Sequence, residues 1–226
     1  MKALKSTEIR YAIKLSLISC TIAAILSLWV AIPIGYLMSR YEFRGKIFFD
    51  AILDIPIVLP PLVIGLSLLI LFQTPIGRAI ESKVTITYGI PAVILAQFMV
   101  ACAFAVRAMR VSFDQLDPRQ EQVALTLGCN RSQAFWLVVL PEVRHGILTA
   151  ATLAWSRSLG EFGPILIFAG ATRMRTEVLP TTVFLELSTG NIEAAVAVSL
   201  LMVFAAMAVL VIVRIYGLKG AIKFKQ

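Results

Sequence analysis

Four charged residues interrupt otherwise apolar runs, and their types and spacing could do chemistry. Asp50 and Asp54 lie four apart in one run, and Arg157 and Glu161 lie four apart in another with Ser158 between them. That spacing puts both members of a pair on one face of a helix. An ionised side chain at the centre of a membrane helix costs about 2.5–3.5 kcal/mol on insertion scales. Each must therefore find a partner or line a polar path. Arg157 and Glu161 have opposite signs and can pair within their own helix. Asp50 and Asp54 have the same sign. Asp50 is expected near an interface, whereas Asp54 needs a cation from elsewhere, and Arg157 is a candidate. Whether Arg157 serves Asp54 or Glu161 is left open by spacing. One reading of Asp54, Arg157, Ser158 and Glu161 is a polar gate or pore lining; the plainer one is a structural ion pair between helices.

No nucleophile–base pair accompanies these groups. Cys20, Cys102 and Cys129 lie far apart, and His145 is the sole histidine. No pair has metal-ligand or redox spacing. The chemistry available is non-covalent, so neither an enzyme nor a cofactor is expected.

The elements that must position these groups are membrane helices. Of 226 residues, 59% are hydrophobic and 15% charged, less charge than a soluble domain carries. The apolar residues fall in runs at about 15–39, 47–72, 88–106, 146–169 and 194–213, each near the ~20 residues that span a bilayer. The first run is too long for a signal core and ends in no small-x-small cleavage site; a bend is possible near Pro33 and Gly35. The net charge is +8. Because the basic residues flank the runs, they point to lipid headgroups rather than to nucleic acid. Five spans place the termini on opposite sides. Arg40, Arg44, Lys46, Arg107, Arg110, Arg119, Arg131, Arg144, Arg214, Lys219, Lys223 and Lys225 share a side with the 107–145 segment, which makes that side cytoplasmic and the N-terminus external. Lys2, Lys5, Arg10 and Lys14 oppose this orientation.

Two segments are irregular. Pro56, Pro60 and Pro61 remove three helical donors from the second run, and the carbonyls of Ile52, Pro56 and Ile57 are expected to lose their partners. Irregular backbone at that depth must be buried in protein or face a polar cavity, so a pore-facing bend is expected. The segment 117–141 reads as two short helices at an angle. Asp117 can cap the first, with Pro118 at its first position. Gly128 suits a left-handed terminus, Asn130 and Gln133 have capping-box spacing, and Pro141 stops or kinks the second helix.

This segment resembles the EAA loop of ABC importer permeases. The aligned positions are Gln122, Val123, Ala124, Gly128, Val138, Leu140 and Pro141. Gln122 stands where the motif has glutamate, with Glu121 beside it, and Val123 replaces the first alanine. The resemblance implies that Glu121, Gln122, Val123, Ala124, Gly128, Leu140 and Pro141 couple the chain to a cytoplasmic ATPase. Pro56-x-x-x-Pro60-Pro61, Leu159-Gly160-Glu161-Phe162-Gly163, Phe168-Ala169-Gly170 and Thr176-x-x-Leu179-Pro180 are similar to the molybdate-type oxyanion permeases, a pattern shared by tungstate and sulfate permeases. Ala171-Thr172-Arg173-Met174 departs from that pattern.

The fold implied is an all-α integral membrane protein, one permease domain over 1–226, with five transmembrane helices and a helix-turn-helix coupling loop at about 117–141, as in type I ABC importer permeases. The implied partners are two ATPase copies, a second copy of this chain and an extracytoplasmic substrate-binding protein. In this frame exposed carboxylates would repel an anion, so Asp54 and Glu161 should be neutralised, and Arg173 and Arg175 could steer one. The competing readings are an amino-acid or quaternary-amine permease and a membrane scaffold or sensor without transport.

Overall fold

The computed structural model describes residues 6–222, with side chains described to residue 211. Lys2, Lys5, Lys223 and Lys225 lie outside the described residues, as do the side chains of Arg214 and Lys219. Among the described residues the regular structure is entirely helical.

Helix α1 (Thr7–Arg40) is one helix of 34 residues that continues through Pro33. At ~1.5 Å per residue it is ~51 Å long, against ~30 Å for a bilayer core. It starts well before residue 15 because Ser6 caps it, its Oγ accepting from Ile9 N at 3.3 Å. Helices α2 (Lys46–Val58) and α3 (Pro61–Gln73) follow, bent by 113°, then the short α4 (Pro75–Glu81). Helix α5 (Ile90–Asp114) runs past residue 106, so Arg107 and Arg110 stand on a helix rather than in a loop. After α6 (Pro118–Thr126) come α7 (Arg131–Ala134), a π-helical turn (Phe135–Val139) and α8 (Leu140–Glu142). The 131–142 unit meets α9 (Arg144–Leu159) at 70°. The chain closes with α10 (Gly163–Phe168), α11 (Leu179–Ser188) and α12 (Ile192–Ile222).

Three stretches, α1, α5 and 192–211 of α12, are long and apolar enough to cross a membrane. Counting each bent pair as one span brings the number to five. One expected span is corrected: 146–169 is not one helix. It ends at Leu159 and resumes at Gly163, because Pro164 has no N–H to donate to the Gly160 carbonyl and its ring crowds that turn.

Helix α5 packs against α1, α9, α10, α2 and α3 and forms the centre. Its buried Ala101 and Ala105 share one core with Ala24 and Ala31 of α1 and Ala150 and Ala154 of α9, while Ala92 and Ala96 share another with Ile64 and Leu68 of α3 and Ile165 and Phe168 of α10. In lipid no hydrophobic force draws helices together, so small residues that allow close backbone approach do this work. Ile25, Trp29, Leu200, Phe204 and Leu210 are exposed and offer acyl chains an apolar surface.

Candidate functional site

The 117–141 loop is built by local rules. Asp117 caps α6, its Oδ1 accepting from Arg119 N at 3.0 Å, and Pro118 takes the first helical position. Gly128 has φ +96° with open space around the place of a Cβ, so its requirement is conformational. Around it Cys129 N donates to Ala124 O and Gly128 N to Leu125 O, both at 3.1 Å, the paired bonds of a Schellman terminus. The Asn130–Gln133 capping box is complete: Gln133 N donates to Asn130 Oδ1 at 2.8 Å and Asn130 N to Gln133 Oε1 at 2.9 Å. Pro141 does not stop the helix where it stands. The preceding turn widens, Leu140 N donating to Phe135 O, and the chain bends at Val143, two residues on.

The loop has two faces. Ala124, Ala134 and Val139 are buried, while Val123, Leu127, Trp136 and Leu137 are exposed, Leu127 at 81%. Beside this apolar face Val123, Ala124, Leu127, Val138 and Glu142 line a hollow of about 550 Å³. Gln122 and Pro141 are exposed and Leu140 is half-buried. Glu121 turns the other way, its Oε1 accepting from Tyr36 Oη of α1 at 2.5 Å.

The proline segment is a break between two helices. Pro56 lies inside α2, but Pro60 caps α3 and Pro61 is its first residue, where a missing N–H costs nothing. The Ile52 carbonyl loses its donor inside α2, and the carbonyls of Pro56 and Ile57 fall in its last turn, where Pro60 and Pro61 have no N–H to offer them. The bend falls at Leu59–Pro60, and Leu159–Gly163 comes to it. A Cβ on Gly163 would lie 3.0 Å from Pro61 Cβ, and one on Gly65 would lie 2.7 Å from Pro164 Cα. Two proline- and glycine-bearing stretches about a hundred residues apart therefore form one contact that only glycine permits.

The charges pair in a pattern that spacing did not decide. Arg157, in the last turn of α9, binds Glu161 just past the end of that helix at 2.8 Å, and Glu161 is 1% exposed. The Arg157 guanidinium also stands 5.7 Å from the centre of the Phe104 ring. Ser158 is buried, and its carbonyl accepts from Gln97 Nε2 at 3.3 Å. Arg157 is not the partner of Asp54. That role belongs to Arg107, whose Nε donates to Asp54 Oδ1 at 2.9 Å and whose Nη2 donates to Oδ2. Asp50 pairs with Arg110 one turn further along α5. Two rungs thus join α2 to α5. Drawing the end of the third span at its first charge hid them; the four-residue spacing of Asp50 and Asp54 against the three-residue spacing of Arg107 and Arg110 was the signal.

Arg173 is not a free steering charge. It pairs with Glu8 of α1 and, at 3.0 Å, with Glu186 of α11. Glu186 also accepts from Asn191 Nδ2 at 2.8 Å. Next to it Glu177 is fully buried, and burial pushes its carboxyl above the usual carboxylate range. Its Oε2 accepts from Met174 N at 3.3 Å. No group of metal-ligating side chains occurs among the described residues.

Comparison with known proteins agrees with this architecture. Residues 31–218 match the family model described as binding-protein-dependent transport system inner membrane component. The sulfate transport system permease protein of Salmonella typhimurium is 32% identical over 191 residues, 83% of this chain and 69% of that protein. The molybdenum transport system permease protein of Escherichia coli K12 is 33% identical over 190 residues, 82% of this chain and 83% of that protein. A probable molybdenum ABC transporter permease protein of Haloferax volcanii is 33% identical over 202 residues, covering 89% and 73%. The fold matches a bacterial ABC transporter that imports alginate, with TM-score 0.73 and 17% identity over 100% of this chain and 82% of that one. With the family model covering most of its length, the chain belongs to the binding-protein-dependent transport system inner membrane components.

Proposed function

We propose that this chain lines the translocation pathway of an ATP-driven importer for molybdate or a related tetrahedral oxyanion. The observation that carries the transport reading is the 117–141 loop. A capped, bent, two-helix unit presents Val123, Leu127, Trp136 and Leu137 outward with little to cover them, the surface a docked ATPase would bury. The oxyanion reading rests on the relatives named for sulfate and molybdenum transport. The paired state of Asp54 and Glu161 supports it, since a neutralised carboxylate does not repel an anion.

In this reading the loop side is cytoplasmic, the N-terminus is external, and residues 171–193 lie outside, near the substrate-binding protein. A second copy of the chain completes the channel. Closure of two ATPase subunits pushes the loop, with Gln122, Val123 and Ala124 at the contact and Gly128, Leu140 and Pro141 setting its angle. The helices then switch between inward- and outward-facing packing. The bend at Pro56, Pro60 and Pro61, locked to Gly163, and the Arg157–Ser158–Glu161 turn form the gate region.

Reconstituted complex in vesicles should take up molybdate, tungstate or sulfate when ATP and the loaded binding protein are supplied. Uptake of an amino acid alone would sink the oxyanion assignment. Absence of any substrate-stimulated ATP hydrolysis would leave a scaffold or sensor.

A further inference from the structure

We infer that Glu121 faces the chain's own α1 rather than an ATPase, and that with Tyr36 and Arg40 it forms the joint through which a push on the 117–141 loop reaches α1. The inference rests on the coupling role proposed for that loop and adds the route by which force leaves it.

The joint is built from α1, the end of α5, α6 and the π-helical turn. Tyr36 Oη donates to Glu121 Oε1 at 2.5 Å. Arg40 Nε lies 3.7 Å from Glu121 Oε2, and both side chains are largely buried. Arg40 Nη2 also donates to Leu116 O at 3.0 Å, at the end of α5. The Tyr36 ring stands edge-on to Phe113 of α5 at 5.6 Å and to Phe135 of the π-helical turn at 4.9 Å. Arg131 Nη1 donates to Tyr41 Oη at 3.0 Å. The last turn of α1 therefore holds both halves of the loop, while the loop's outward face carries apolar residues. A charge-assisted bond in a half-dry site is stiffer and stronger than its equivalent in water.

The other end of α1 is fastened as well. Glu8 pairs with Arg173, Tyr11 Oη donates to Arg175 O at 3.2 Å, and Leu179 N donates to Ser16 Oγ at 2.8 Å. A helix of 34 residues held by polar contacts at both ends is a contiguous link from the loop to residues 171–179. Coupling between distant sites is carried by such rigid elements and bonded networks.

The test uses the complex of permease, its cognate ATPase and the molybdate-loaded binding protein in vesicles. Tyr36→Phe removes one hydroxyl, and Glu121→Ala removes the carboxylate. Both variants should copurify with the ATPase as the unaltered chain does. The ratio of hydrolysis with the binding protein to hydrolysis without it should fall about fivefold. The double variant should be no worse than Glu121→Ala alone, because both changes remove the same contact. Loss of the ATPase from Glu121→Ala would make Glu121 a docking residue and overturn the joint. Full stimulation in both variants, or losses that multiply, would overturn it too. If the unaltered chain holds no ATPase, the coupling role of the loop fails first and the joint falls with it.

Discussion

Arg107 of α5 grips Asp54 of α2 with two prongs, Nε donating to Oδ1 at 2.9 Å and Nη2 donating to Oδ2. One turn further on, Arg110 holds Asp50. These two rungs are the polar attachments that fix the α2 half of the bent pair against the central helix. Asp54 is about two-thirds buried, whereas Arg107 is mostly exposed. Arg107→Ala should therefore cost about 1 kcal/mol and loosen α2. Asp54→Asn/Arg107→Gln, which removes both charges, should cost less than Arg107→Ala alone. Thermal melting of detergent-purified variants checks the order.

Glu161 is far more deeply buried than its partner Arg157. Removing Arg157 leaves an uncompensated charge, whereas Glu161→Gln removes the charge itself. Arg157→Ala should destabilise by about 3 kcal/mol, Glu161→Gln by about 1 kcal/mol, and the double variant should recover most of the loss. A double-mutant cycle read by denaturation measures this coupling.

Gly128 holds φ +96° in open space. Alanine there meets no neighbour but must adopt a left-handed conformation, at a cost of about 1–2 kcal/mol. Gly128→Ala should lower ATPase copurification several-fold with little change in the amount of folded permease. Gly128→Asn, which tolerates that conformation better, should retain more. Equal retention by both variants would refute a conformational role.

Gly65 meets Pro164, with only 2.7 Å between a would-be Cβ and the Pro164 Cα. Gly65→Ala should force α3 away from α10 at about 1–3 kcal/mol. Because this contact joins the proline bend to the Gly163 segment, uptake should fall further than the loss of folded protein accounts for. Normalising uptake to folded complex separates the two effects.

Glu177 lies in the 171–178 segment, outside the long helices, and burial raises its carboxyl. The folded state therefore binds this proton more tightly than the unfolded state. The stabilising contribution is full below the ordinary carboxylate pKa and is lost as pH rises through the raised folded value. At pH 7 the charged form is a burden, so Glu177→Gln should stabilise by about 1 kcal/mol. The gain should vanish near pH 4. Melting temperatures of the two proteins across that range give the sign.

What the sequence by itself determined is what operates within a few residues or along a whole helix. Asp117, Gly128 and the Asn130–Gln133 box sit where their spacing placed them, because capping bonds reach three or four residues and a left-handed turn selects glycine locally. The pairing of Arg157 with Glu161, left open by spacing, needs only the tight turn that ends α9. Apolar run length marks a membrane helix for the same reason. Tertiary structure decided the rest. Asp54 chose Arg107 over Arg157 because helix rotation and depth, not charge sign, select among several cations. Arg173 gained two carboxylates from helices at opposite ends of the chain. Glu121 turned toward Tyr36 because the packing of α1 against the end of α5 put a half-buried hydroxyl and a guanidinium beside it. The stretches around Pro61 and Gly163 became one contact only when folding brought them together, since backbone proximity across about a hundred residues leaves no local trace.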